Sequence, residues 1–185
     1  MDFESDRLIF KELSWDDLEF IHRLHSIPEV DEYNTLGIPA DIEETRKVIS
    51  PLIKSGTGSG RHHFSWVILE KNLNKPIGLC GMIQTGDRFR SGEIYFKFLP
   101  DSWGKGYGTE CAKKLIGIGF TRLHLHRIEA GVATGNSRSI RVIEKSGMTC
   151  EGIRRKTLPI RGEWKDNFHY AILEEEFNRD GQDKA

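Results

Sequence analysis

Trp103-Gly-Lys-Gly-Tyr-Gly-Thr-Glu110 stands between a strand-like run, Glu93 to Leu99, and a helix-like run, Thr109 to Phe120. A strand that turns through closely spaced glycines into a helix N-terminus leaves several backbone N–H groups unpaired, at the end of a helix dipole equivalent to about half a positive charge. Such a turn is a cradle for an anion, phosphate above all. Glycine lets the backbone approach a ligand with no Cβ in the way, and Lys105 adds a full charge beside it. The same spacing also suits a glycine-rich turn that binds nothing, so the rest of the chain has to decide.

A chain of 185 residues fits one domain that buries roughly 70% of its unfolded surface, enough for an unaided core. Cys80, Cys111 and Cys150 are far apart and lack Cys-x-x-Cys spacing, which argues against a disulfide framework and a zinc site. They read as small buried hydrophobes in a reducing compartment. With 27 basic and 28 acidic residues the formal charge is −1, so no overall field draws the protein to nucleic acid or an anionic membrane. No signal-peptide pattern is visible and no apolar run reaches the roughly 20 residues a bilayer requires, so a cytoplasmic location is expected.

Leu8 and Phe10 alternate with polar residues, which predicts an entry strand within Met1 to Glu12. Ser14 and Asp17 form a helix-start pattern with Leu13 and Leu18 as a hydrophobic staple, predicting a helix from Trp15 to Ser26 that Pro28 ends. Asp41 and Glu44 repeat the pattern before an apolar stripe of Ile42, Val48, Ile49 and Leu52, with a break or kink expected at Pro51. Ser55 to Gly60 reads as a mobile connector.

Strands are expected over Phe64 to Glu70, Pro76 to Gln84 and Glu93 to Leu99, then Arg127 to Ala133, Gly152 to Leu158 and Asn167 to Leu173. A second late helix is expected from Ser137 to Lys145, and Glu174 to Ala185 should fray. This order describes an α/β (α+β) domain: a mixed, mostly antiparallel sheet of about seven strands flanked by about four helices. A parallel crossover from Glu93 to Ala133 would put the glycine turn at the carboxyl end of a strand. The domain is taken as residues 1–176, with 177–185 a charged tail.

A second motif comes at Asn136-Ser-Arg-Ser139-Ile-Arg141-Val-Ile-Glu144-Lys145-Ser-Gly147-Met148, then Glu151-Gly152. Together with the glycine turn it resembles the GNAT superfamily of acetyl-CoA-dependent N-acetyltransferases, in its RimJ/RimL-like branch of ribosomal-protein alanine acetyltransferases. The resemblance spans Arg7-Leu8 to Tyr170-Ala171. It implies that the backbone at Phe96 and Phe98 pairs with the pantetheine arm of acetyl-CoA. Gly104, Lys105, Gly106, Tyr107, Gly108 and Thr109 would wrap the pyrophosphate, with Asn136 on pantetheine. A homodimer is also implied by the family, and no metal.

Departures from the family pattern matter for the chemistry. Trp103 replaces a polar residue that often opens the pyrophosphate loop, so it should pack rather than bind phosphate. Ile143 stands where many relatives place a tyrosine acid; the resemblance to RimL-like enzymes implies instead that Ser139 protonates the thiolate, or else it is a helix-start hydroxyl. Leu158 stands where RimL-like relatives carry a carboxylate; Glu93 lies where the resemblance implies a base acting through water, or else is a solvent-facing strand residue.

His62-His63 and His124-Leu-His126 lack further ligands at metal spacing and read as surface or helix-end residues. Tyr33, Trp66 and Trp164 could line an acceptor pocket, although aromatics at strand spacing are more often core. Acetyl transfer to a primary amine, an N-terminal α-amine first and a small amine or polyamine second, is the implied activity. Two other classes stay open: a noncatalytic acyl-CoA-binding module, and a nucleotide-binding protein. The last lacks both Gly-x-x-x-x-Gly-Lys-[Ser/Thr] and a complete Gly-x-Gly-x-x-Gly.

Overall fold

One parallel strand pair in an otherwise antiparallel sheet governs where everything else sits. The computed structural model describes residues 1–54, 61–86 and 88–177. The elements run β1 (Phe3–Glu4), β2 (Leu8–Glu12), α1 (Leu18–His25), α2 (Pro28–Asp31), α3 (Ile42–Lys54), β3 (His63–Glu70), β4 (Lys75–Thr85), β5 (Ser91–Phe98), α4 (Tyr107–Thr121), β6 (Arg127–Ala133), α5 (Ser137–Lys145), β7 (Thr149–Ile160) and β8 (Glu163–Leu173). The strands form an eight-stranded sheet ordered β1-β2-β3-β4-β5-β6-β8-β7.

The extra strand comes from the N-terminal run, which folds on itself: Ser5 donates its N–H to the carbonyl of Leu8 at 2.9 Å, and β1 returns along β2. Ahead of α1, the Ser14 N–H donates to the Asp17 carboxylate at 2.9 Å, and Leu13 and Leu18 share one core cluster. Residues Trp15–Asp17 form a 3-10 turn, and α1 proper begins at Leu18. Pro28 lies beyond the end of α1 and opens α2 at its first position, where its missing N–H costs nothing. Pro51 does not interrupt α3, which runs on to Lys54; the proline falls in the last turn, where one lost hydrogen bond is tolerable.

Two cores lie on opposite faces of the sheet. Leu13, Leu18, Phe20, Ile21, Leu24 and Ile49 from the first helices pack on Val67 and Leu79. On the other face Cys111, Leu115, Ile116 and Ile143 of α4 and α5 pack on Cys80, Met82, Ile94 and Ile128. Trp66 is fully buried in this second cluster and its Nε1 donates to the carbonyl of Met1 at 2.8 Å, so it is core and no acceptor-pocket wall.

The last two strands are longer than expected, because Arg161 and Gly162 at φ 50° and 79° make a two-residue turn between them. Cys150 is exposed on the edge strand β7, unlike Cys80 and Cys111, which are buried as expected. Trp164 is 59% exposed on the same hairpin and is no core residue. Residues 174–177 are helical instead of frayed, and the Phe177 ring packs 5.2 Å from that of Phe120. The connector at Ser55 to Gly60, Asp87, and residues 178–185 of the tail lie outside the described residues. Among the described residues no helix is long and apolar enough to cross a membrane.

Candidate active site

β5 and β6 are paired only at Ser91, Gly92 and Glu93 with Arg127, Ile128 and Glu129. Beyond Glu93 the two strands separate, so β5 has an edge whose backbone groups find no partner in β6. Leu99 donates its N–H to Ile77 on the β4 side, at 2.9 Å. By the alternation of an antiparallel ladder, Phe98 and Phe96 then direct their backbone groups into the opening. One of these groups is already used: Trp103 Nε1 donates to the Phe98 carbonyl at 2.9 Å. Trp103 packs against the core, as expected, and Arg138 stacks over its ring at 4.2 Å.

The glycine turn lies at the carboxyl end of β5. Gly104 and Gly106 adopt φ of 75° and 82°, which a side chain opposes, and a Cβ on Gly104 would meet nothing within 4 Å. Gly104, Lys105 and Gly106 are exposed. The first bond into α4 runs from the Glu110 N–H to the Gly106 carbonyl at 3.1 Å, so the N–H groups of Tyr107, Gly108 and Thr109 precede it. Tyr107 contributes only backbone here, since its ring is buried and its hydroxyl donates to Glu70 at 2.8 Å. A turn whose two glycines bring the backbone to the surface, leading to N–H groups without a partner among the described residues beside Lys105, fits a diphosphate.

Arg7, which no site motif in the sequence singles out, braces this turn. Its Nη1 donates to the Lys105 carbonyl at 3.0 Å, and its Nη2 meets Glu110 at 2.7 Å. Burial would raise the Glu110 pKa, but hydrogen bonds from Ser5 and Arg7 outweigh it and hold the carboxyl below its usual range. Arg7 thus offsets a negative charge that sits in the first turn of α4, where an anion would otherwise be repelled.

Asn136 and Ser139 lie at the matching turn after β6. Asn136 caps α5, its Oδ1 accepting from the Ser139 N–H at 3.1 Å, which leaves the amide nitrogen for a ligand. It borders a hollow of about 260 Å³ lined by Glu32, Tyr33, Gly135, Ser137 and Arg138. Ser139 is half-buried at the start of α5. Ile143 is 1% exposed and belongs to the core.

Glu93, Tyr95 and Lys97 share the face of β5 turned toward α1 and α2, because side chains alternate along a strand. Tyr95 is engaged with Ser65 at 2.8 Å and His63 at 3.1 Å. Burial draws Lys97 down to about 8, against the attraction of Asp31. Glu93 is exposed and sits at the closed end of the opening, its Oε1 only 3.3 Å from where a Cβ on Gly131 would stand. The neighbouring carboxylate Glu129 is committed to Arg127 at 2.7 Å and lies 3.4 Å from His169. Glu93 has no ion pair among the described residues. Leu158 pairs with Lys165 in the outer part of the hairpin, beyond the last β6–β8 pair at Asn167. Among the described residues no cluster of three His, Cys, Asp or Glu could hold a metal ion.

Comparison with known proteins bears on the family and the fold. Residues 7–149 match the model of the acetyltransferase (GNAT) domain. An acetyltransferase of the GNAT family from Bacillus anthracis superposes with a TM-score of 0.80 at 31% identity, over 95% of this chain and 99% of that one. The putative ribosomal N-acetyltransferase YdaF of Bacillus subtilis is 34% identical over 59% of this chain and 61% of its own length. The spermidine N(1)-acetyltransferase of Vibrio cholerae is 25% identical over 94% of this chain and 96% of its own. With a sheet opened after one short parallel pairing, a glycine-rich turn at the carboxyl end of its inner strand and the matched domain, this chain belongs to the GNAT family of acetyl-CoA-dependent N-acetyltransferases.

Proposed function

We propose that the acceptor is an N-terminal α-amine, which attacks the acetyl thioester directly. The observation that carries this reading is Glu93 over Gly131 at the closed end of the opening, with no second free carboxylate beside it among the described residues. A lysine amine of pKa about 10.4 is neutral in roughly one molecule in a few thousand at pH 7, whereas an α-amine near 7.7–8.0 is neutral in roughly one in ten. One exposed carboxylate suits the second task far better. Lys97 adds to this, because with a pKa of about 8 it is mostly cationic at pH 7 on the same face and repels a polycation. A polyamine remains the second reading, favoured by the likeness to a spermidine acetyltransferase.

In this reading the backbone of Phe96 and Phe98 aligns the pantetheine arm, and the Gly104 to Thr109 turn holds the diphosphate with Lys105. The amide nitrogen of Asn136 contacts pantetheine. A backbone N–H on the open edge of β5 faces the developing oxyanion. The amine nitrogen bonds to the acetyl carbon, the C–S bond breaks, one amine proton leaves through water to Glu93 and on to solvent, and Ser139 gives its proton to the sulfur while taking one back from water. Ser139→Ala should therefore lower kcat about tenfold or more while acetyl-CoA affinity stays within about twofold. Equal turnover of the two forms would leave the serine a helix-start residue only. The acceptor reading is tested by thiol release from acetyl-CoA with peptides of different N-termini, N-blocked lysine peptides, spermidine and small amines. Free N-termini should turn over fastest, and a lead by spermidine would reverse the two readings.

A further inference from the structure

Asn167 lies on β8 opposite Ala133, the last residue of β6, and it is only 6% exposed. Its Oδ1 is buried and has no hydrogen-bond partner among the described residues. Buried amide oxygens are nearly always paired, since desolvating one without compensation is unfavourable. A Cβ built on Gly131 would sit 2.9 Å from Asn167 Nδ2, 3.2 Å from its Oδ1 and 3.3 Å from Glu93 Oε1. The unpaired oxygen and the carboxylate therefore flank the same bare stretch of backbone, just past the last β5–β6 pair.

We propose that Asn167 orients the acceptor nitrogen, its Oδ1 accepting one N–H of the incoming amine beside Glu93. This rests on the reading that an amine attacks at this opening. A neutral primary amine has two N–H donors and one lone pair. With one N–H on Asn167 and the other toward Glu93 or its water, the lone pair is left for the acetyl carbon. Gly131 is part of the device, because a Cβ there would press on the Asn167 amide and turn it away from the amine. In the sequence the acceptor-orienting group is hidden inside an ordinary strand, Asn167-Phe-His-Tyr170.

The test compares Asn167→Leu, Asn167→Asp and Gly131→Ala by steady-state kinetics, each first checked for folding by thermal melting. Asn167→Leu should lower kcat/KM for the amine by about thirtyfold and leave KM for acetyl-CoA within about twofold, as expected when a site built for a hydrogen bond loses it. Asn167→Asp keeps an oxygen in place and should retain amine KM within about threefold. Gly131→Ala puts a Cβ 2.9 Å from Asn167 Nδ2, so the amide must turn aside, and should raise amine KM about tenfold. An unchanged amine kcat/KM in Asn167→Leu, a loss shared equally with acetyl-CoA KM, or no retention by Asp overturns the assignment. Wild-type turnover with an unaffected Leu variant removes only the role of Asn167. Absence of thiol release by the wild type with every amine removes the amine-attack reading and this proposal with it.

Discussion

Gly106→Val is expected to weaken acetyl-CoA binding by about thirtyfold, or about 2 kcal/mol, with the fold intact. Gly106 sits at φ 82°, a conformation that a β-branched residue reaches only at a cost of about 1–3 kcal/mol. The turn would relieve that strain by rotating, and the N–H groups of Tyr107, Gly108 and Thr109 would lose their common aim. The new side chain also presses on Arg7, whose Nη2 is 3.3 Å from a Cβ at this position. Lys105→Ala should cost less, about 1 kcal/mol, since one exposed charge adds to several backbone donors. Calorimetry with CoA, alongside circular dichroism, checks both. An unaltered affinity in Gly106→Val would move the diphosphate away from this turn.

The second large effect concerns the base. Glu93→Gln should slow acetylation of a free N-terminus between about tenfold and a hundredfold at pH 7, and the deficit should narrow toward pH 9, where an α-amine is already mostly neutral. A lysine acceptor would still be mostly protonated at pH 9, so its rate would keep climbing well beyond that point. The profile therefore reports on base and acceptor together. Matching rates of wild type and variant at every pH would return Glu93 to the status of a surface strand residue.

The elements legible in the sequence are those whose periodicity is bounded by local signals. β6 and α5 fall where expected, Arg127–Ala133 and Ser137–Lys145, because an alternating strand ends at a turn and Asn136 caps the helix beyond it. The hairpin of β7 and β8 outruns its sequence pattern for a physical reason: nearly all of Thr149–Pro159 is exposed, so its outer half carries no burial periodicity. Pro28 suits a helix stop and a helix start alike, and only the chain beyond it distinguishes the two.

The glycine turn is readable for the same reason that it fits a diphosphate, since closely spaced glycines between a strand and a helix specify the backbone directly. The acceptor side is not. Glu93, Gly131 and Asn167 meet only because β5 and β6 part after Glu93 and β8 lies in register with β6, a relation between three strands that no local pattern records. Arg7 likewise reaches Lys105 and Glu110 only through the tertiary fold.

The most direct test of transfer to an α-amine is the position of the acetyl group on a single peptide that offers both a free N-terminus and a lysine side chain. After incubation with acetyl-CoA and the wild-type protein at pH 7, fragmentation by mass spectrometry should locate the acetyl group on the α-nitrogen and leave the lysine unmodified. Acetyl on the lysine Nζ, or a peptide left untouched while spermidine is acetylated under the same conditions, would contradict it.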